Sequence, residues 1–271
     1  MKPHSRKVYY ISGATGLLAE DLGRALLSQF PGQHFETESF AFILTEEEAE
    51  TAREKILAAC REEKEKPLVF SSLLRPELAR HFVSRDFILI PLYDQFLSIL
   101  EDLFHEKAVR RHGLACTQDD NKIAHRVDAI HYSISHDDGA GPNDYNAAEL
   151  IIIGVSRAGK TPVSIFLATK MELKTANYPL VQQDLEQNRL SDDIVHNLRK
   201  VVGLTISPKI LHRFREKRFA NSRYASYETC KKEEEQARKI FEKYSIPVVK
   251  SSGSSIEETA MQVYLKFKAR N

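Results

Sequence analysis

The chain has no tryptophan, and only three methionines and three cysteines in 271 residues. Cys60, Cys116 and Cys230 stand far apart, with no CxxC pair among them. That spacing argues against a disulfide framework or a cysteine-based zinc site and for free thiols in a reducing compartment. An excess of one charge is also missing. Lys and Arg number 39 against 38 Asp and Glu, a formal net charge of +1. No basic surplus is present to grip a nucleic acid backbone, and no acidic tail to serve as a solvating arm. Long apolar runs are absent too. The basic opening MKPHSRK is followed by only four apolar residues, Val8 to Ile11, which is short for the core of a signal peptide. No run reaches the ~20 residues of a membrane span. The expectation is a soluble, cytoplasmic chain with no nucleic acid and no membrane among its partners.

What is present is an alternation of strand and helix patterns. Val8–Ser12 is an apolar run ended by Gly13. Leu17–Phe30 has helical spacing, with Leu18, Leu22, Leu26 and Phe30 on one face. Strands are expected at Phe35–Leu44, Leu68–Ser71 and Phe87–Ile90. Helices are expected at Glu46–Glu65, Pro76–Ser84 and Pro91–Lys107. Interleaving of this kind argues for a Rossmann-like parallel sheet covered on both faces. The polar stretch Arg110–Lys122 is the candidate boundary, giving an N-terminal α/β domain at 1–109 and a second α/β domain at 110–271. The second half reads as a helix at Ile123–Ile134, the loop HDDGAGPNDYN, then strand, loop and helix. A strand at Leu173–Tyr178 and a polar segment reaching Lys200 follow. Next come a strand at Val201–Ile206, a basic helix at Pro208–Arg218 and a charged helix at about Tyr227–Tyr244. A strand at Ile246–Val249 and a helix at Ile256–Lys268 end the chain. No sequence repeat or low-complexity tract is present.

The most informative stretch is LIIIGVSRAGKTPVSIFLA, Leu150 to Ala168. Gly154, Val155, Ser156, Arg157, Ala158, Gly159, Lys160 and Thr161 fit GxxxxGK[ST] at every fixed position. Glycines let backbone N–H groups turn inward around phosphate oxygens, and the following helix aims its positive end at them. Lys160 supplies a point charge for a β-phosphate, Thr161 a hydroxyl suited to Mg²⁺, and Pro162 suits a first helical turn. The apolar strand before the loop supplies the expected P-loop context. An ordinary nucleotide-hydrolysing loop of this type also has a downstream strand ending in Asp. Neither Val201–Ile206 nor Ile246–Val249 ends in an acid.

The nearest acids in a plausible loop lie upstream, in His136-Asp137-Asp138-Gly139. A pair of carboxylates there suits holding Mg²⁺ or taking a proton from an incoming hydroxyl, and it equally suits a solvated turn at a helix end. PKILHRFREKRFANSRY adds Arg213, Arg215, Lys217, Arg218 and Arg223, either a solvated basic face or a second surface for phosphate or an acidic protein. Ser12-Gly13-Ala14-Thr15-Gly16 is a second glycine-bearing turn between strand and helix, and a structural turn is its simplest reading.

The chain resembles the bifunctional kinase–pyrophosphorylases that regulate phosphoenolpyruvate synthase and pyruvate phosphate dikinase. The resemblance spans nearly its whole length. It rests on YYISGATG, LLSQFP, HDDG (136–139), GVSRAGKTP (154–162), TANYPL (175–180), GLTISP (203–208), NSRYAS (221–226) and SIEETA (255–260). The Gly159-Lys160-Thr161 form of the loop, ANYP, and NSRYAS followed by Cys230 look closer to the phosphoenolpyruvate synthase branch. The resemblance implies two α/β domains, a tendency to form homodimers, and an unusual reaction pair. With ADP as donor, such proteins phosphorylate a target threonine and inactivate the target. With inorganic phosphate they remove that group as pyrophosphate and restore it. Carried over by position, Asp138 accepts the threonine proton and Asp137 assists or binds Mg²⁺. Lys160 neutralises the transferring group, and Thr161 ligates the metal. Three departures stand out. Gly13 replaces the Asp of an SDGTG-like loop, Ser135-His136 stands where some relatives have Lys before DDG, and Lys250-Ser251 where many dikinase-type relatives have Asp-Val. Two other readings stay open: an ATP-using kinase for a small metabolite, and a nucleotide sensor without catalysis.

Overall fold

The computed structural model describes residues 5–62, 65–114, 120–137 and 145–270. The chain divides into two compact units, Met1–Thr117 and Gln118–Asn271. Residues 110–114 are tied to the first unit by Arg110, whose guanidinium pairs with Asp94 (2.6 Å) and Glu101 (3.3 Å).

The first unit runs β1 (Ser5–Ile11), α1 (Leu17–Leu27), β2 (His34–Phe40), α2 (Glu46–Glu62), β3 (Leu68–Ser71), α3 (Pro76–Ala79), β4 (Ile88–Pro91) and α4 (Asp94–Phe104). All strand pairs are parallel, in the order β2-β1-β3-β4. Tyr9, Ile11 and Val69 face one side of the sheet with Ile56 and Phe82, while Val8, Tyr10 and Phe70 face the other with Ala19. This two-sided burial is what a parallel sheet requires. Of the apolar row, Leu22 packs against the core, while Leu18, Leu26 and Phe30 are exposed. Ala19 and Gly23 are the buried residues of α1 instead. A Cβ on Gly23 would lie 2.4 Å from the Tyr10 ring, so the missing side chain lets the helix close onto the sheet.

The second unit runs α5 (Asp120–Ser135), β5 (Leu150–Gly154), α6 (Lys160–Met171), β6 (Thr175–Pro179), α7 (Gln182–Gln187), α8 (Asp192–His196), β7 (Val201–Thr205), α9 (Pro208–Glu216), α10 (Tyr227–Lys243), β8 (Val248–Lys250) and α11 (Ile256–Lys268). Its strands are also all parallel, in the order β6-β5-β7-β8. The polar segment before Lys200 holds α7 and α8, which are too short and too polar to show an apolar period. Every residue of β5 and β7 is buried, because helices cover both faces. Helices α5 and α11 pack against α6, and α7 and α9 pack against α10.

Strand order decides where a site can form. From β5 the chain moves one way to β6, then back past β5 to β7. The crossovers leave on opposite sides, so a crevice opens beyond the carboxyl ends of β5 and β7. The first sheet has the same arrangement between β1 and β3.

Candidate functional site

The loop after β5 stands at the switch point of the second sheet. Gly154 ends the strand because nothing larger fits: a Cβ there would lie 2.5 Å from the Leu204 carbonyl oxygen of β7. Val155 and Ala158 are buried beneath the loop, and the Ala158 N–H closes a turn onto the Val155 carbonyl (3.2 Å). Arg157 sits at the exposed crown with a φ of +72°, and Gly159, at +99°, caps α6 in the left-handed region. Lys160 is 3% exposed, and its Nζ donates to the Val155 carbonyl (3.2 Å). The lysine stem is thus folded back over the loop it belongs to.

Asp137, just beyond α5, reaches the first turn of α6. The Thr161 Oγ1 donates to its carboxylate, with the two oxygens at 2.8 and 2.9 Å. Asn177 of β6 donates from Nδ2 to the same carboxylate (2.7 Å) and to Ser164 Oγ (3.0 Å). Ser164 Oγ in turn donates to the Thr161 carbonyl (2.9 Å). A further tie joins the two elements, since the Asn177 N–H donates to the His136 carbonyl (3.0 Å). One acid of the upstream pair and the hydroxyl of the glycine loop therefore meet across 24 positions of sequence. Asp138 and Gly139 lie outside the described residues.

The other side of the loop is braced by α9, α10 and the segment after β8. Ser251 donates from Oγ to the Ala158 carbonyl (2.8 Å), with the Thr205 carbonyl at 3.2 Å. A valine in its place would offer no donor to the loop. Arg215 has 0% exposure, so it belongs neither to a solvated basic face nor to a second anion-binding surface. Its neighbours Arg213, Lys217 and Arg218 are exposed. Next to Arg215's partner Glu233, Glu234 is buried at 2% exposure and accepts from the Ile206 N–H (3.3 Å) at the end of β7. Burial pushes its carboxyl up to about 7, against the smaller opposing pull of that N–H and of Arg238 and Arg215.

A cleft of about 330 Å³ opens over the loop, lined by Arg157, Lys160, Thr161, Pro162, Phe214 and Lys217, with Gly159 at its floor. Arg157 and Lys217 have no ion pair with any described residue. A helix start, two such cations and a buried lysine around one hollow are groups of the kind that suit anionic oxygens. A larger hollow, about 490 Å³, lies in the first unit near Cys60, Lys66 and Arg85. It lies at the amino ends of β3 and β4, away from the switch point of its own sheet.

A family model described as kinase/pyrophosphorylase matches residues 8–264. The chain belongs to the kinase/pyrophosphorylase family. A protein of Desulfotalea psychrophila named "Putative phosphoenolpyruvate synthase regulatory protein" is 51% identical over 258 residues, covering 95% of this chain and 94% of its own. Proteins of the same name from Laribacter hongkongensis and Azoarcus sp. are 36% and 38% identical over 267 and 264 residues. Those alignments cover 96% and 95% of this chain and 96% and 94% of theirs. Membership supports a kinase-type activity for the chain.

In this kinase/pyrophosphorylase, spacing alone did not single out Asn177, Ser164, Tyr224 or Glu233. Asn177 had one signal, a polar amide among the buried residues of β6. The Ser12–Gly16 turn stands at the switch point of the first sheet. There the Ser12 Oγ accepts from the Ala14 N–H (3.1 Å), and a Cβ on Gly13 would lie 2.8 Å from His112 Nε2. Gly13 thus gives His112 room to close over the turn. Burial, aided by the charge of Arg75, holds that imidazole below its usual value. No described helix is long and apolar enough to cross a membrane.

Proposed function

We propose that this chain regulates phosphoenolpyruvate synthase by reversible phosphorylation of a threonine. In the inactivating direction the threonine hydroxyl attacks the β-phosphorus of ADP, AMP leaves, and the threonine becomes a phosphoester. In the activating direction inorganic phosphate attacks that phosphoester, the threonine hydroxyl is restored, and pyrophosphate leaves. The names of the relatives support the target, and the family supports the reaction class.

The observation that carries the reading is the contact of Thr161 with Asp137 at the start of α6, beside buried Lys160. Phosphoryl transfer asks for positioning and neutral charge more than for covalent help. The loop amides and Lys160 hold the ADP phosphates in one direction and free phosphate in the other. The adjoining hydroxyl and carboxylate form a hard oxygen pair that fits Mg²⁺, which bound there would spread the phosphate charge. Thr161 and Asp137 would hold that ion, and Asn177 keeps the Asp137 carboxylate turned toward them. Asp138 is proposed as the proton acceptor, from its place beside Asp137 in the sequence.

The test mixes the purified protein with phosphoenolpyruvate synthase and ADP labelled on its β-phosphate, then adds unlabelled phosphate. Label should enter a synthase threonine and then leave as pyrophosphate. Labelling of pyruvate phosphate dikinase in place of the synthase would move the target assignment. ADP binding with neither protein labelled would leave a nucleotide sensor.

A further inference from the structure

Among the described residues Arg215 is the largest fully buried side chain, and the reaction just described does not use it. A buried guanidinium is expensive unless most of its donors and its charge are met. Here both terminal nitrogens are met by the glycine loop and the two elements behind it, while Nε has no hydrogen-bond partner among the described residues. One terminal nitrogen donates to the Ser156 carbonyl of the loop (3.1 Å) and to Glu233 Oε2 (2.6 Å). The other donates to the Tyr224 carbonyl (3.1 Å). The guanidinium carbon stands 4.1 Å from the centre of the Tyr224 ring. Tyr224 closes the circuit by donating its hydroxyl to Ser156 Oγ (2.9 Å). Ser156 is therefore gripped twice, at its carbonyl and at its side chain.

The Ser156 carbonyl belongs to the same planar trans peptide as the Arg157 N–H, and the two point in opposite directions. Drawing the carbonyl back toward Arg215 turns the Arg157 N–H away from α9. No described residue accepts from that N–H. Arg157 holds a left-handed φ of +72°, a state uncommon for a non-glycine residue. Such strain persists where surrounding contacts over-determine it.

We propose that Arg215 is a positioning residue for phosphate binding: through Ser156 it aims the Arg157 amide into the cleft, with Tyr224 as its second hand. The inference rests on the reading of the glycine loop as the phosphate cradle. Lysine cannot replace it, because one ammonium cannot span two carbonyls and a carboxylate while stacking on a ring.

The test compares wild type, Arg215→Lys, Tyr224→Phe and Lys239→Ala, an exposed charge on α10, by calorimetric titration with ADP and with inorganic phosphate. Arg215→Lys should weaken both ligands about tenfold and Tyr224→Phe about threefold, with Lys239→Ala unchanged. In the labelling assay the same two variants should raise KM for ADP and leave KM for the target protein unmoved. Mere loss of folded protein would lower the active fraction without moving either constant. Should Arg215→Lys fail to fold, Tyr224→Phe carries the test, since it removes only one hydroxyl. Folded variants that bind ADP as the wild type does would overturn the role of Arg215 and leave the phosphate cradle standing. A wild type that binds neither ADP nor phosphate would overturn both. Ligand binding without labelling of any protein would sink the kinase reading alone.

Discussion

At the scale of the residue, the site is made of side chains held by other side chains. Lys160 lies against its own loop, so its charge is in place before a ligand arrives. Preorganised charge of this kind is commonly the largest single contribution to phosphoryl transfer. Lys160→Ala should therefore lower label transfer at least ~100-fold in both directions while the melting profile is retained. A variant that kept one direction at the wild-type rate would show that the two directions do not share the loop. Glu234 makes a prediction about pH. Its carboxyl is raised from 4.5 to about 7, so the fold prefers it protonated. Its stabilising contribution is complete below about pH 4.5 and is lost as pH rises through 7, a swing of up to ~3 kcal/mol. Glu234→Gln removes the titration and keeps the shape. Relative to wild type it should gain stability at pH 8 and not at pH 4.5, read from urea midpoints; an equal difference at both values would refute the assignment. Little of this was legible beforehand. The glycine loop could be read because its eight residues are contiguous. Arg215 could not, because its burial depends on Ser156 and Glu233, which lie 59 and 18 positions away.

At the scale of the element, β5 and the start of α6 work as one device. The strand delivers the loop, Gly154 lets β7 come close, and α6 points its amide end at the cleft. Gly154→Ala would drive a methyl group to within 2.5 Å of the Leu204 carbonyl, where the neighbour is backbone and cannot swing aside. The two central strands must part, at a cost of about 1–3 kcal/mol by analogy with overpacked cores. Thermal unfolding should show the loss, and ADP affinity should fall with it. Most elements could be read from sequence, since buried parallel strands appear as apolar runs and long amphipathic helices keep a period. Helix α11 matches its expected range, Ile256–Lys268, and its Ser255–Glu258 capping box is visible as SIEE. Helices α7 and α8 could not be read, being one or two turns long and held by contacts made elsewhere. The apolar row of α1 misled for another reason. Gly23 draws the adjoining Ala19–Gly23 stripe inward, with Leu22 at its edge, and a residue with no side chain leaves no apolar signal.

At the scale of the whole molecule, each unit has its own sheet and its own core. A chain of residues 118–271 should therefore fold alone, melt cooperatively and bind ADP about as well as the full protein. Aggregation, or ADP affinity more than about tenfold lower, would mean that the first unit completes the cradle. The expected boundary stood at 109/110; residues 110–114 stay with the first unit through the Arg110 ion pairs, which composition does not reveal. The shared strand order has one more consequence. Matched in strand order, the two sheets follow the same blueprint twice, and the turn at Ser12–Gly16 is the counterpart of the glycine loop. Where the second copy opens its helix with Lys160 and Thr161, the first opens with Leu17 and Leu18, both exposed. One scaffold thus carries a charged socket in one copy and a greasy knob in the other, at corresponding corners of the architecture.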